Sequence, residues 1–294
     1  MPRVPVLNVV GAGRVGTTLT RLLADAGLVR PGSLYNRDPE HSRRAARYIG
    51  AGNCARNLND MSGADLWLIA VPDDVIAQVA RQLAATRYDW QGRIAFHCSG
   101  IHSASVLSDL GELGAATASL HPVQSFANPE KSRQHFTGTC CTVEGDSRAS
   151  RRLTALFTGI GGRLIGIDAD GKNLYHAATA VASNYLVTLF DMSRQLLAAA
   201  DMSTDDANAL LAPLVSGTLD NLLASNPEQA LTGPISRGDA LTVRRHLEAL
   251  AGGCPDFLPL YLALARATLS LARRSHPENR DGHRHIESVL AEFG

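Results

Sequence analysis

Lys172, His176, Thr179 and Ser183 recur at i, i+4, i+7 and i+11 in a stretch otherwise made mostly of alanine and other apolar residues. At 3.6 residues per turn they fall within about 60° of one another on a helix. A polar stripe on an apolar helix is costly unless it faces water, a partner or a ligand. A lysine one turn from a histidine is suited to moving a proton, so Lys172 and His176 are candidate general acid/base residues. The plainer reading is a solvated lysine near the helix start and a packing histidine. Asn184, further round the same helix, would approach from a neighbouring turn.

Three loops add candidates. His121, just before Pro122, closes an apolar run and would polarise or orient a carbonyl; anchoring its own loop is the alternative. Ser99 and Gly100 end the turn His97-Cys-Ser-Gly100, where they would approach a cofactor ring or substrate. In Thr232-Gly-Pro-Ile-Ser-Arg237-Gly-Asp239, Arg237 would clamp a substrate carboxylate and Thr232 would add a donor, while Asp239 also reads as an N-cap. His97, Cys98 and His102 match no familiar metal-ligand spacing, and no metal is expected.

The elements that must position these groups begin with Val6-Leu-Asn-Val-Val-Gly11-Ala-Gly13-Arg-Val-Gly16. An apolar strand runs into G-x-G-x-x-G, and Val15, Leu19, Leu22, Leu23 and Ala26 follow at helical spacing. This pattern predicts a dinucleotide site over Gly11, Ala12, Gly13, Arg14, Val15 and Gly16, with a pyrophosphate on the opening amides of the helix. A second strand ends at Tyr35-Asn36-Arg37-Asp38. Asn36 can bond a phosphate neutrally and Arg37 suits a 2′-phosphate, which favours NADP over NAD unless Asp38 takes the ribose instead of capping a helix. Val71-Pro72-Asp73 ends a continuously apolar strand, at a strand exit where the nucleotide of an open α/β sheet binds, with Pro72 as a purely structural stop the alternative.

Strand-like and helical segments alternate to about residue 167, predicting a doubly wound α/β sheet of Rossmann type with right-handed crossovers. From residue 168 onward the periodicity is helical throughout. The expected domains are therefore 1–167, binding the nucleotide, and 168–294, an all-α substrate and dimerisation domain.

Over 294 residues, 28 Lys+Arg balance 28 Asp+Glu, so no net field recruits nucleic acid or an anionic membrane. No apolar run is long enough to span a bilayer, and a core strand begins within a few residues of the N-terminus. Five cysteines without C-x-x-C spacing fit reduced thiols in the cytoplasm.

The chain resembles the 6-phosphogluconate-dehydrogenase-like superfamily, which includes pyrroline-carboxylate reductases and prephenate dehydrogenases. More closely, it is similar to a bacterial family that pairs a Rossmann-like domain with a C-terminal domain of unknown function. The resemblance rests on Gly11–Gly16, Val71-Pro72-Asp73-Asp74, His97-Cys-Ser-Gly100, Ser119-Leu-His121-Pro122, Lys172-x-x-Tyr-His176 and 231–239. It implies an NADP-dependent oxidoreductase of a small polar carbonyl, hydroxy acid or imine, held in an interdomain cleft, and a homodimer formed through the C-terminal helices. It also implies a catalytic lysine at Lys172, although His176 stands where hydroxyacid dehydrogenases of the superfamily carry asparagine. The rival expectations are a prephenate-dehydrogenase-like oxidation, suggested by His121-Pro122, and an NADP(H)-sensing protein without turnover.

Overall fold

The computed structural model describes residues 3–294. Its contacts divide the chain into two compact units, the first ending at Ala180 and the second spanning Val181–Gly294. The sheet itself ends close to the expected boundary at 167/168. The first unit continues to Ala180 because the opening turns of the following helix bury Lys172 among the strands.

In the first unit, β1 (Val6–Val10) leads into α1 (Arg14–Asp25), then β2 (Arg30–Tyr35), α2 (Pro39–Ile49) and the short β3 (Asn53–Cys54). The chain continues through β4 (Leu66–Ile69), α3 (Ile76–Ala84), β5 (Ile94–His97), α4 (Ser108–Glu112) and β6 (Ala116–Pro122). After α5 (Pro129–Gln134) come β7 (Cys140–Gly145), α6 (Ser147–Gly159), β8 (Arg163–Gly166) and the start of α7 (Lys172–Ala199). All eight strands form one sheet in the order β3-β2-β1-β4-β5-β6-β7-β8.

Successive side chains on a strand point to opposite faces. Leu7, Val9, Leu68 and Phe96 accordingly pack on one face with Leu153 and Phe157 of α6. Val6, Val10, Trp67 and Ile69 pack on the other with Ile76, Ala80 and Leu83 of α3. Burial on both faces explains why β1 and β4 read as unbroken apolar runs.

The sheet is parallel except where β7 runs antiparallel to β6. Uniform alternation does not disclose that reversal. Its register sets up the site: Val10 pairs with Ile69, Ile69 with His97, His97 with Ser119, and Ser119 with Glu144. Directly paired residues share a face. One row of the sheet thus changes from apolar to polar as it crosses from β4 to β5.

The second unit contains the rest of α7, α8 (Thr204–Ala224), α9 (Pro227–Ala230), α10 (Pro234–Arg237), α11 (Ala240–Gly253), α12 (Leu258–Ser275) and α13 (Arg280–Glu292). Val243, Leu247, Leu262, Leu269, Ile286 and Leu290 form its core. Much of the apolar surface of α7 and α8 stays exposed, including Val187, Leu214 and Leu223. No helix among the described residues is long and apolar enough to cross a membrane.

Candidate active site

Gly11 has φ +88°, and a Cβ there would lie 2.6 Å from the Ala70 carbonyl oxygen. A Cβ on Gly16 would lie 2.7 Å from the Gly11 carbonyl oxygen, whereas nothing stands within 4 Å of one on Gly13. Two glycines therefore let α1 sit tightly against the strands, and the third leaves open space above its first turn. The first-turn amides of a helix have no intrahelical acceptors. Asp38, Asn128 and Asp146 cap α2, α5 and α6 with their side chains. The N-terminus of α1 has no side-chain cap and no acidic residue in its first turn. An uncapped helix start behind an open glycine fits a diphosphate.

A cavity of about 540 Å³ continues from this turn, bordered by Gly11, Asn36, Arg37, His41, Val71 and Pro72 among others. The Asp38 carboxylate accepts the Glu40 amide at 2.9 Å as the α2 cap, so it is committed to the helix. Asn36 leans on Ser42 at 3.3 Å. Arg37 is exposed and has no ion-pair partner among the described residues. A second cavity of about 550 Å³ on the other side of Gly13 is bordered by Arg14, His41 and Arg44.

Beyond the carboxyl ends of β4, β5 and β6 the site is built from side chains. Lys172, expected to face a substrate, is 1% exposed. Its Nζ donates to Ser119 Oγ at 2.6 Å and to the Ser99 carbonyl at 3.4 Å, and stands 3.6 Å from Glu144 Oε1. Burial pushes the lysine's pKa down, while Glu144 and Asp73 oppose that shift. Lys172 is thus a buried cation tying the head of α7 to β5, β6 and β7. In this arrangement its Nζ is held by protein partners, where the sequence pattern had it facing a substrate. The same Glu144 oxygen accepts the Ala104 amide at 2.8 Å.

Ser99 is likewise committed, its Oγ accepting the amides of Ile101 and His102 at 3.2 and 3.0 Å. His97 is fully buried, accepting the Ser99 amide at Nδ1 and donating from Nε2 to the Ser103 carbonyl. Desolvation lowers its pKa to about 4, so it is a neutral brace for the turn. Its neighbour Cys98 has its thiol pKa driven far up by burial, an inert state.

His121, His176 and Gly100 come together. The two imidazole centroids are 5.9 Å apart, and a Cβ on Gly100 would lie 2.5 Å from His176 Nδ1 and 3.0 Å from His121 Cε1. His176 Nδ1 is buried without a hydrogen-bond partner among the described residues. His121 Nδ1 lies 2.8 Å from Tyr175 Oη, a contact the spacing of the polar stripe did not disclose. Desolvation, with the positive potential of His176 and Lys172, holds the His121 pKa down to about 4. Asp73, in the turn after β4, acts in the opposite sense. Glu144 was also missed, although a lone carboxylate at the end of an apolar strand was a usable signal.

Asn184, Thr232 and Arg237 belong to the second unit and are exposed there. Asp239 caps α11, accepting the Thr242 amide at 3.1 Å. No cluster of His, Cys, Asp and Glu suited to a metal occurs among the described residues.

The glycine turn, the uncapped helix and the sheet order define a Rossmann-type dinucleotide fold. Residues 2–122 match the profile of a Rossmann-like domain, and residues 139–268 match a domain of unknown function, DUF2520; the chain joins these two domains. A crystal structure of a Thermotoga maritima protein is similar over 92% of this chain and 99% of its own, with 26% identity and a TM-score of 0.71. A Bacteroides fragilis protein designated an NADP oxidoreductase aligns over 90% of this chain and 97% of its own, at 21% identity and a TM-score of 0.74. A reductive aminase from Aspergillus terreus, in complex with NADPH and ethyl levulinate, aligns over 99% and 100%, at 19% identity and a TM-score of 0.61. A comparison with curated protein sequences returns no significant match.

Proposed function

We propose that this protein is an NADP-dependent oxidoreductase acting on a small polar carbonyl, hydroxy acid or imine. The observation that carries the reading is the uncapped head of α1, open above Gly13, beside a cavity edged by Asn36 and the uncommitted Arg37. Similarity to an NADP oxidoreductase and to an NADPH-bound reductive aminase supports it.

The backbone of Gly11–Gly16 would hold the diphosphate, with Asn36 and Arg37 on the 2′-phosphate and Val71-Pro72-Asp73 under the nicotinamide ribose. When bound, NADPH supplies the hydride. Gly100 keeps the approach to the reacting carbon narrow without adding a side chain. His121, neutral at physiological pH, polarises the acceptor oxygen or nitrogen by hydrogen bonding. His176 borders the same space, its buried Nδ1 against Gly100 and without a hydrogen-bond partner among the described residues. Lys172 holds the turn at Ser99 and the strand at Ser119 in place from below.

Calorimetry with NADPH and NADH tests the reading: NADPH should bind at least tenfold more tightly, and no heat with either overturns it. Absorbance turnover on keto acids and cyclic imines then separates an enzyme from a sensor. The sequestered Lys172 is the observation favouring a sensor, and tight NADPH binding with no turnover would establish that second reading.

We further propose a homodimer through α7 and α8, on the strength of the exposed Val187, Leu214 and Leu223, and a cytoplasmic location. A monomeric mass in light scattering at micromolar concentration would refute the dimer.

A further inference from the structure

We propose that Tyr175 is a positioning residue: its phenol fixes the imidazole proton of His121 on Nε2, so that His121 meets its ligand as a hydrogen-bond donor. This deepens the oxidoreductase reading and rests on it for what His121 would polarise. The assignment of the proton rests on the Tyr175–His121 contact and the chemistry of the two groups, and needs no ligand.

Tyr175 Oη and His121 Nδ1 are 2.8 Å apart, with the rings close to perpendicular at 83°. Either atom could formally be the donor. Nδ1 is the acceptor within hydrogen-bond distance of the phenol among the described residues, and the Thr142 hydroxyl, close enough to favour the phenolate, meets the phenol oxygen as a donor. A phenol is the more acidic donor of the pair and a bare imidazole nitrogen the stronger acceptor, so the bond runs from Oη–H to Nδ1. With the phenol donating, both partners are satisfied by one bond. Nδ1 is then the bare nitrogen, and the single proton of the neutral ring sits on Nε2.

The surroundings keep both groups in these states. Burial raises the Tyr175 pKa, so the phenol keeps its proton. His121 faces His176 and Lys172 from α7 and Asp73 from the β4 turn; burial, the first cause, outweighs the carboxylate, and the ring is neutral near pH 7. A neutral imidazole is two-sided, one nitrogen donating and the other accepting. Protonated at Nε2 it stabilises charge developing on a carbonyl oxygen or imine nitrogen. Protonated at Nδ1 it would turn a lone pair toward the same atom.

The test needs no substrate. Uniformly ¹⁵N-labelled full-length protein is studied near pH 7.5 by long-range ¹H–¹⁵N correlation of histidine ring nitrogens, with His121 assigned through His121→Gln. Wild type should show a protonated Nε2 and an Nδ1 resonance moved upfield by an accepted hydrogen bond. Tyr175→Phe keeps the ring and removes only the hydroxyl; the Nε2 resonance should move downfield as an Nδ1–H population appears. A wild-type ring protonated at Nδ1, or ring shifts untouched by Tyr175→Phe in a variant with an unchanged fold, would overturn the proposal. If calorimetry shows no NADPH binding while the tautomer is as stated, the oxidoreductase reading fails and the role of Tyr175 stands.

Discussion

The two ends of this site are built from different materials. Around Gly11–Gly16 the working groups are backbone amides, and glycines are present to clear space. Around His121 they are side chains, and several of the most reactive are already bonded to one another. A phosphate cradle thus depends on what is missing from the chain, while the far end depends on which polar groups remain uncommitted. Lys172, Glu144, Ser119, Ser99 and His97 are bound into a framework, while His176 Nδ1 has no hydrogen-bond partner among the described residues and His121 is held only by Tyr175.

The contrast breaks most visibly at Lys172. Lys172→Met should leave Glu144 buried without its cation and cost about 3–5 kcal/mol in denaturant unfolding. A loss under 1 kcal/mol would return Lys172 to the ligand side. Acid should find the same framework. The His97 and His121 pKa values stand near 4 against an ordinary 6.5, so the unfolded chain takes up protons that the folded chain refuses. Their contribution is complete above pH 6.5 and is lost as pH falls from 6.5 to about 4, at most about 3 kcal/mol for each. Urea midpoints should fall less steeply over that window in His97→Gln than in wild type.

Smaller effects sharpen the boundary between framework and ligand groups. Gly100→Ala drives a methyl against His176 Nδ1 and should cost about 1–3 kcal/mol, as overpacking does. His176→Ala in the same chain should recover part of that loss, and simple additivity would show that the two do not touch. At the cradle, Arg37→Ala should weaken NADPH about tenfold to a hundredfold by calorimetry, the value of a charge-assisted hydrogen bond, and leave NADH unchanged. Arg237→Ala should change neither coenzyme affinity.

What could be read from the chain follows the same division. A strand running into G-x-G-x-x-G discloses its role because the requirement is local: a turn, an approach and a helix start. The polar stripe of α7 was also visible, and it lies on the helix Lys172–Ala199. Its surroundings were not visible. Whether Lys172 meets water or a carboxylate depends on β7, which joins the sheet antiparallel after a connection that gives no sign of the reversal. Tyr175 was passed over because an aromatic residue on an apolar helix reads as packing. Only the neighbouring strand that places His121 Nδ1 against its hydroxyl shows otherwise.

The reversed strand has a further consequence for how this protein tolerates change. Glu144 reaches Lys172 only because it stands in register with Ser119, and the neighbouring position, Val143, belongs to the apolar layer under α6. A single-residue deletion inside β7 would swing the carboxylate into that layer and a valine toward the ammonium group. Length changes should therefore be absorbed by the connection around α5, while β7 itself should accept substitutions but no indels.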